Sequence, residues 1–176
     1  MQPEAKVVAD AKWLRSVLTN RGMPSLLLER HLVTLGRMIQ KRIRPADGRG
    51  EKLLHAAQGL RADQVGHVEE AEAASLAAGF ASGLGAPVSR LLLGTGELLA
   101  AAIADARGGA RKSVGSLVAW LGGVPRLARD PQQLPGLDPA MRQPLLREGA
   151  DRRWQNAIDQ TLVDAGWCPA AEGVRG

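Results

Sequence analysis

Apolar and polar positions follow a helical period along most of this chain, most clearly over residues 24–44. There Leu28, Leu32, Leu35, Ile39 and Ile43 fall on one helix face, while Arg30, Thr34, Arg37, Lys41 and Arg44 fall on the opposite one. An amphipathic helix with an apolar inner side and a basic outer side is the direct prediction. An earlier helix is predicted from Glu4 to Asn20, with Val7, Ala11, Leu14 and Leu18 in register and Trp13 and Val17 beside them. Gly22 reads as its terminating residue and Pro24 as part of the first turn of the next helix, so the two form a tight αα-hairpin.

Beyond the loop at Pro45–Gly50, helical character resumes at Glu51 and continues to about Ser82, with interruptions expected at Gly59 and Gly66. A further helix is expected from Val88 through Ile103, ending at Gly108-Gly109. Val114–Leu121 suits a short helix closed by Gly122–Pro125, and 130–144 reads as a proline-rich loop with one turn starting at Asp138-Pro139. The last helix runs from about Glu148 to Ala165, capped by Gly166. The expected fold is all-α: one domain over residues 1–168, an irregular bundle of five to six helices, and a flexible tail at 169–176. Small residues along Ala71–Ala86 and Gly94–Ala106 are expected to mark the closest helix contacts.

Composition supports this class. The 176 residues are 45% hydrophobic, with no Tyr and a single Phe, and Leu and Ala outnumber the β-branched residues. One cysteine, Cys168, excludes an internal disulfide framework and a cysteine-based zinc site. The first residues carry no secretory signal pattern, and no stretch reaches the roughly 20 apolar residues of a membrane span, so a cytoplasmic location is expected.

The net charge is +5, from 23 basic and 18 acidic residues. Such a balance can attract nucleic acid, anionic lipid or an acidic protein without selecting among them. Arg30, Arg37, Lys41 and Arg44 are the candidate face for a polyanion or a protein partner. As a nucleic-acid surface they would track phosphates; as a solvated helix face they need no partner, and that reading carries more weight.

No catalytic constellation emerges. Glu51 with His55, and His67 with Glu70, each place two side chains on one helix face, but the spacings differ from the Glu-x-x-His pattern of di-metal bundles, so no metal site is assigned. Gly108–Ser113 suggests a phosphate loop, yet Arg111 replaces the glycine that must precede Lys-Ser, and a helix rather than a strand comes before it. Gly94-Thr95-Gly96 falls within a helical pattern and suits close contact or a kink. His31 flanks the apolar face as a boundary residue. Trp13, Trp120, Trp154 and Trp167 are expected as core anchors.

The run Lys12–Pro24, leading into Leu28, His31 and Leu32, resembles the opening helices of globin-like helical sensor domains in bacterial signalling proteins. The resemblance covers residues 12–32 and implies a sensory or regulatory module. A haem-binding member would place a proximal histidine well after the middle of the domain. No histidine follows His67, so the resemblance implies a haem-free form. The expected function is therefore a non-enzymatic regulatory or protein-interaction module, with a protein partner or a second copy of itself, able to hold an apolar small molecule between helices. The alternative is nucleic-acid binding through the basic face, and an enzyme is the weaker reading.

Overall fold

A computed structural model describes residues 3–42, 48–130, 132 and 139–167. Among them the chain is all-helical: α1 (Glu4–Thr19), α2 (Ser25–Arg42), α3 (Arg49–Val65), α4 (Glu70–Leu84), α5 (Ala86–Leu91), α6 (Thr95–Arg107), α7 (Lys112–Leu127), α8 (Pro139–Leu146) and α9 (Ala150–Asp164). Arg44, Ile43, the start of the 45–50 loop, Asp138, Cys168 and the tail lie outside the described residues. Two compact units form: Met1–Glu70 with Ala101–Ser116, and Ala71–Ala100 with Leu117–Gly176. Helices α6 and α7 contribute residues to both.

The described residues form nine helices where five or six were expected: two expected helices divide, and α8 is a two-turn helix reaching Leu146 where a loop with one turn was expected over 130–144, its Pro139 suiting a first helical turn. The segment expected at 51–82 passes through Gly59 unbroken and divides after Val65. The helix expected at 88–103 divides at Leu92-Leu93-Gly94, where Gly94 takes φ +84° and turns the chain. Conversely, α7 continues through Pro125, which cannot donate the hydrogen bond that Leu121 would normally accept. The Trp154 indole Nε1 donates to that carbonyl instead, at 2.7 Å. The side chain that fills the core thus also satisfies the backbone oxygen that the proline leaves open.

Glycine caps form where the pattern placed them. Met23 N–H donates to the Leu18 carbonyl and Gly22 N–H to that of Thr19, closing α1 with a left-handed Gly22. Gly166 closes α9 and Gly109 closes α6 by the same pair of bonds. Gly108–Ser113 is therefore a helix terminus, and the buried Ser113 hydroxyl is engaged by the Ala102 carbonyl at 2.6 Å.

In the first unit, α3 packs against α1 and α2. Gly36 and Gly50 meet backbone to backbone: a Cβ on Gly36 would lie 2.9 Å from the Gly50 carbonyl oxygen. Gly36 is therefore the innermost point of α2, and the adjacent Leu35 is turned outward, 38% exposed instead of lying on the core face. Ala56, Ala57, Leu60 and the alanines of α6 supply much of the buried surface.

Buried among these small residues is a polar cluster. Asp105 is completely buried. Its Oδ2 accepts the Ser25 backbone N–H at 2.8 Å, and its Oδ1 accepts the Ser25 hydroxyl at 2.5 Å. Arg15 donates to Oδ1 through Nε at 3.2 Å and Nη2 at 3.1 Å, and through Nη1 to Asp63 at 3.1 Å. Gln64 donates to the Ser25 hydroxyl at 2.5 Å. One carboxylate thereby caps the start of α2 and ties α1, α2 and α3 to α6.

In the second unit, Phe80 and Trp154 pack edge to face at 5.8 Å, and Leu121, Leu145 and Ile158 of the same unit are fully buried. Trp154 is a core anchor as expected. Trp13 and Trp120 are not, being 67% and 58% exposed. Trp13 lies two residues from buried Ala11, hence across the helix from it, and the buried face of α7 runs through Val114, Leu117, Leu121 and Val124, leaving Trp120 to one side. Trp167 is half-buried. The expected small-residue contacts occur at Gly83, whose added Cβ would lie 3.0 Å from Ala157 Cβ, and at Gly96, whose Cβ would lie 2.8 Å from Ala77 Cα.

This packing fixes the sign of three substitutions. Asp105→Asn should lower urea-unfolding stability by about 2 kcal/mol, because the fully buried site loses its charge-assisted bonds to Arg15 and Ser25 while Arg15 keeps only Asp63 as a carboxylate partner. Gly96→Ala should cost about 1–3 kcal/mol, since backbone rather than a flexible side chain blocks the new methyl. Gly59→Ala, inside α3 with open space around it, should instead stabilise by up to about 1 kcal/mol. Equal effects at Gly96 and Gly59 would contradict the described helix contact.

Candidate functional site

The outer side of α2 is where exposed charge and exposed apolar surface coincide. The inner side is set by Ser25, Leu28 and Gly36, all buried, with Leu32 and Ile39 half-buried. Opposite them, Arg30, Thr34, Arg37 and Lys41 are all exposed along one arc. The structure thus brings three of the four candidate basic residues together on the outside of the helix, while Arg44 lies outside the described residues.

A second exposed arc was not apparent in the charge pattern. Leu27, Leu35 and Met38 are 38%, 38% and 50% exposed, and exposed His31 lies between them on the helix surface. At 100° per residue these four occupy the arc directly beside the basic one. The one signal in the sequence is Gly36: a glycine flanked by leucine and arginine at mid-helix marks the close approach to Gly50, and it leaves Leu35 at the edge of the inner face rather than on it. His31 is a surface residue rather than a boundary one.

Glu29 lies on the inner side, next to the polar cluster in helix position. Its Oε2 is shut off from water and accepts no hydrogen bond among the described residues. Burial pushes the Glu29 carboxyl above its ordinary range, opposed by the Arg61 and Arg30 guanidinium groups.

The other candidate chemistry disperses. His55 pairs with Glu4 of α1 rather than with Glu51. The His67 carbonyl accepts from Arg107, and its ring lies against Gly108. Among the described residues no group of three or more His, Cys, Asp or Glu side chains could hold a metal ion, and no helix is long and apolar enough to cross a membrane. Arg15, Ser25, Gln64 and Asp105 form the densest polar cluster, yet Ser25 and Asp105 are fully enclosed and saturated by one another, which suits architecture rather than turnover.

Two clefts open in the second unit. One, of about 330 Å3, is lined by Ala77, Phe80, Ala81, Leu92 and the 85%-exposed Leu93. The other, of about 490 Å3, lies where the end of α4 and the start of α5 face the turn between α8 and α9.

Neither a protein-family model, nor a curated protein, nor a solved structure matches the chain.

The Glu29 environment gives a pH prediction with a defined sign. The folded protein holds this proton more tightly than the unfolded chain, so stability falls as pH rises from the ordinary glutamate value through the raised one, and stays lower above it. Glu29→Gln should therefore raise the urea midpoint at about pH 7 and change it little at about pH 4. The gain should stay under about 1 kcal/mol, because the half-open carboxyl is still partly solvated. A loss of stability at neutral pH would show that Glu29 serves as a paired anion instead.

Proposed function

We propose that this chain is a non-enzymatic regulatory or protein-interaction module, of the haem-free sensor kind that residues 12–32 resemble, and that the outer side of α2 is its contact surface. The observation that carries this reading is the exposed row of Leu27, Leu35 and Met38 lying directly beside Arg37 and Lys41. A cluster of large apolar side chains rimmed by charge is what a protein-binding surface requires: apolar contacts supply the energy, and the charges set orientation and partner choice. The complementary partner is a protein segment with an apolar ridge and an acidic flank.

Nucleic-acid binding is the second reading, favoured by the shared exposure of Arg30, Arg37 and Lys41. A surface that only tracks phosphates gains nothing from three uncovered apolar side chains, so the protein partner accounts for more of what α2 displays.

The test is site-specific photo-crosslinking in cells from positions 35 and 38, with position 163 as control, since Val163 is also 67% exposed but lies on α9. One discrete protein adduct from 35 and 38, absent from 163, is expected. Leu35→Glu with Met38→Glu should weaken that complex by about 2 kcal/mol or more, roughly thirtyfold, with helicity unchanged. An adduct with a second copy of the chain would identify self-association as the contact. Adducts to nucleic acid, together with duplex affinity that drops steeply with salt and disappears on reversing Arg37 and Lys41, would establish the second reading instead.

A further inference from the structure

The 490 Å3 cleft of the second unit has a chemistry of its own. Leu84 and Val88, both buried, form its floor with Pro144, while Arg147, Glu148 and Arg153 stand at its rim. Its volume falls within the range of small-molecule sites. The two arginines reach it through one turn. Gly149 takes φ +74°, which reverses the chain between α8 and α9, and the Arg153 N–H donates to the Gly149 carbonyl at 3.0 Å. The Arg153 guanidinium then folds back over that turn, with Nη1 about 4.0 Å from where a Gly149 side chain would begin.

What sets these arginines apart is their place at the rim of the cleft. Asp151, the carboxylate two residues before Arg153, is engaged by Arg129. Among the described residues neither Arg147 nor Arg153 meets a carboxylate. The cleft thus has an apolar floor, two guanidinium groups without an anion, and one acid, Glu148, leaving its rim net positive. Guanidinium presents a planar fork of donors suited to carboxylate or phosphate oxygens, and a ligand's hydrocarbon portion would cover the leucine, valine and proline surface.

We propose that this cleft binds a small amphiphilic anion, an acyl carboxylate or alkyl phosphate, with its head between Arg147 and Arg153 and its chain over Leu84, Val88 and Pro144. Glu148 opposes the head group and limits its affinity. The site is independent of the α2 surface: it belongs to the second unit, and its occupancy is read by a different measurement.

The test uses the full chain and titration calorimetry with decanoate, decyl phosphate and the neutral decanol, all below their aggregation limits. Saturable binding of one anion per chain is expected, with decanol at least tenfold weaker. Arg147→Gln with Arg153→Gln should weaken the anion at least tenfold, whereas Arg126→Gln with Arg152→Gln, which changes net charge equally at exposed positions elsewhere in the unit, should leave it unchanged. Glu148→Gln should tighten binding severalfold, a gain that loss of folding cannot produce, and the arginine variant should keep the helical circular dichroism of the parent. Vesicles of anionic and zwitterionic phospholipid separate the sources: binding to free amphiphile in solution supports the cleft, while binding only to anionic vesicles, equally reduced by both double substitutions, would overturn it as general attraction of a basic protein to a charged surface. Absence of saturable binding to either free anion would overturn it as well.

Discussion

A single carboxylate with no exposure to water governs how the first unit assembles. Burying an ion costs several kcal/mol unless close partners replace its hydration, so Asp105 constrains everything that must reach it. Arg15 has to come from α1, the Ser25 N–H and hydroxyl from the start of α2, and Gln64 has to hold the serine from α3. The surrounding stretch of α6 is Ala101–Ala106, mostly alanine, a surface that packs closely but distinguishes poorly between one rotation of a helix and the next. The hydrogen-bonded cluster supplies that distinction, because its donors meet the carboxylate in only one register.

Small residues then determine how closely helices approach. At Gly36 with Gly50, at Gly96 with Ala77 and at Gly83 with Ala157, the space a side chain would need is taken by another helix. This mode of packing explains how a chain with one phenylalanine and no tyrosine fills its interior. It gains dispersion contacts from closeness rather than from large side chains. Phe80 and Trp154 are the exception, and the indole has a second role because Pro125 leaves the Leu121 carbonyl without its usual donor.

The same geometry shapes the surfaces. Because Gly36 is the innermost point of α2, Leu27, Leu35 and Met38 are carried outward beside the basic arc. A residue choice made for helix contact thus has a consequence on the solvent side, where apolar and basic groups come to share one exposed strip. In the second unit, the left-handed Gly149 has a comparable effect, reversing the chain between α8 and α9 where Arg147, Glu148 and Arg153 line an apolar cleft.

Helical class, the α1–α2 hairpin, the glycine caps at Gly22 and Gly166, and the outward placement of Arg30, Arg37 and Lys41 were legible in the sequence. They depend on interactions within a few residues: a period of 3.6, a glycine free to take positive φ, and charge that favours water. Which apolar residues end up covered was not legible. Leu35, Trp13 and Trp120 fit apolar helical patterns and yet stand exposed, because burial depends on where a second helix makes its closest approach. The Leu121 carbonyl that Pro125 leaves open is met by an indole 33 residues away from it, and Asp105 carries no mark in the sequence, its partners Arg15 and Ser25 reaching it from 90 and 80 residues away. Periodicity describes a helix by itself. Close approach and charge pairing are properties of two or more helices together, and only the tertiary structure decides them.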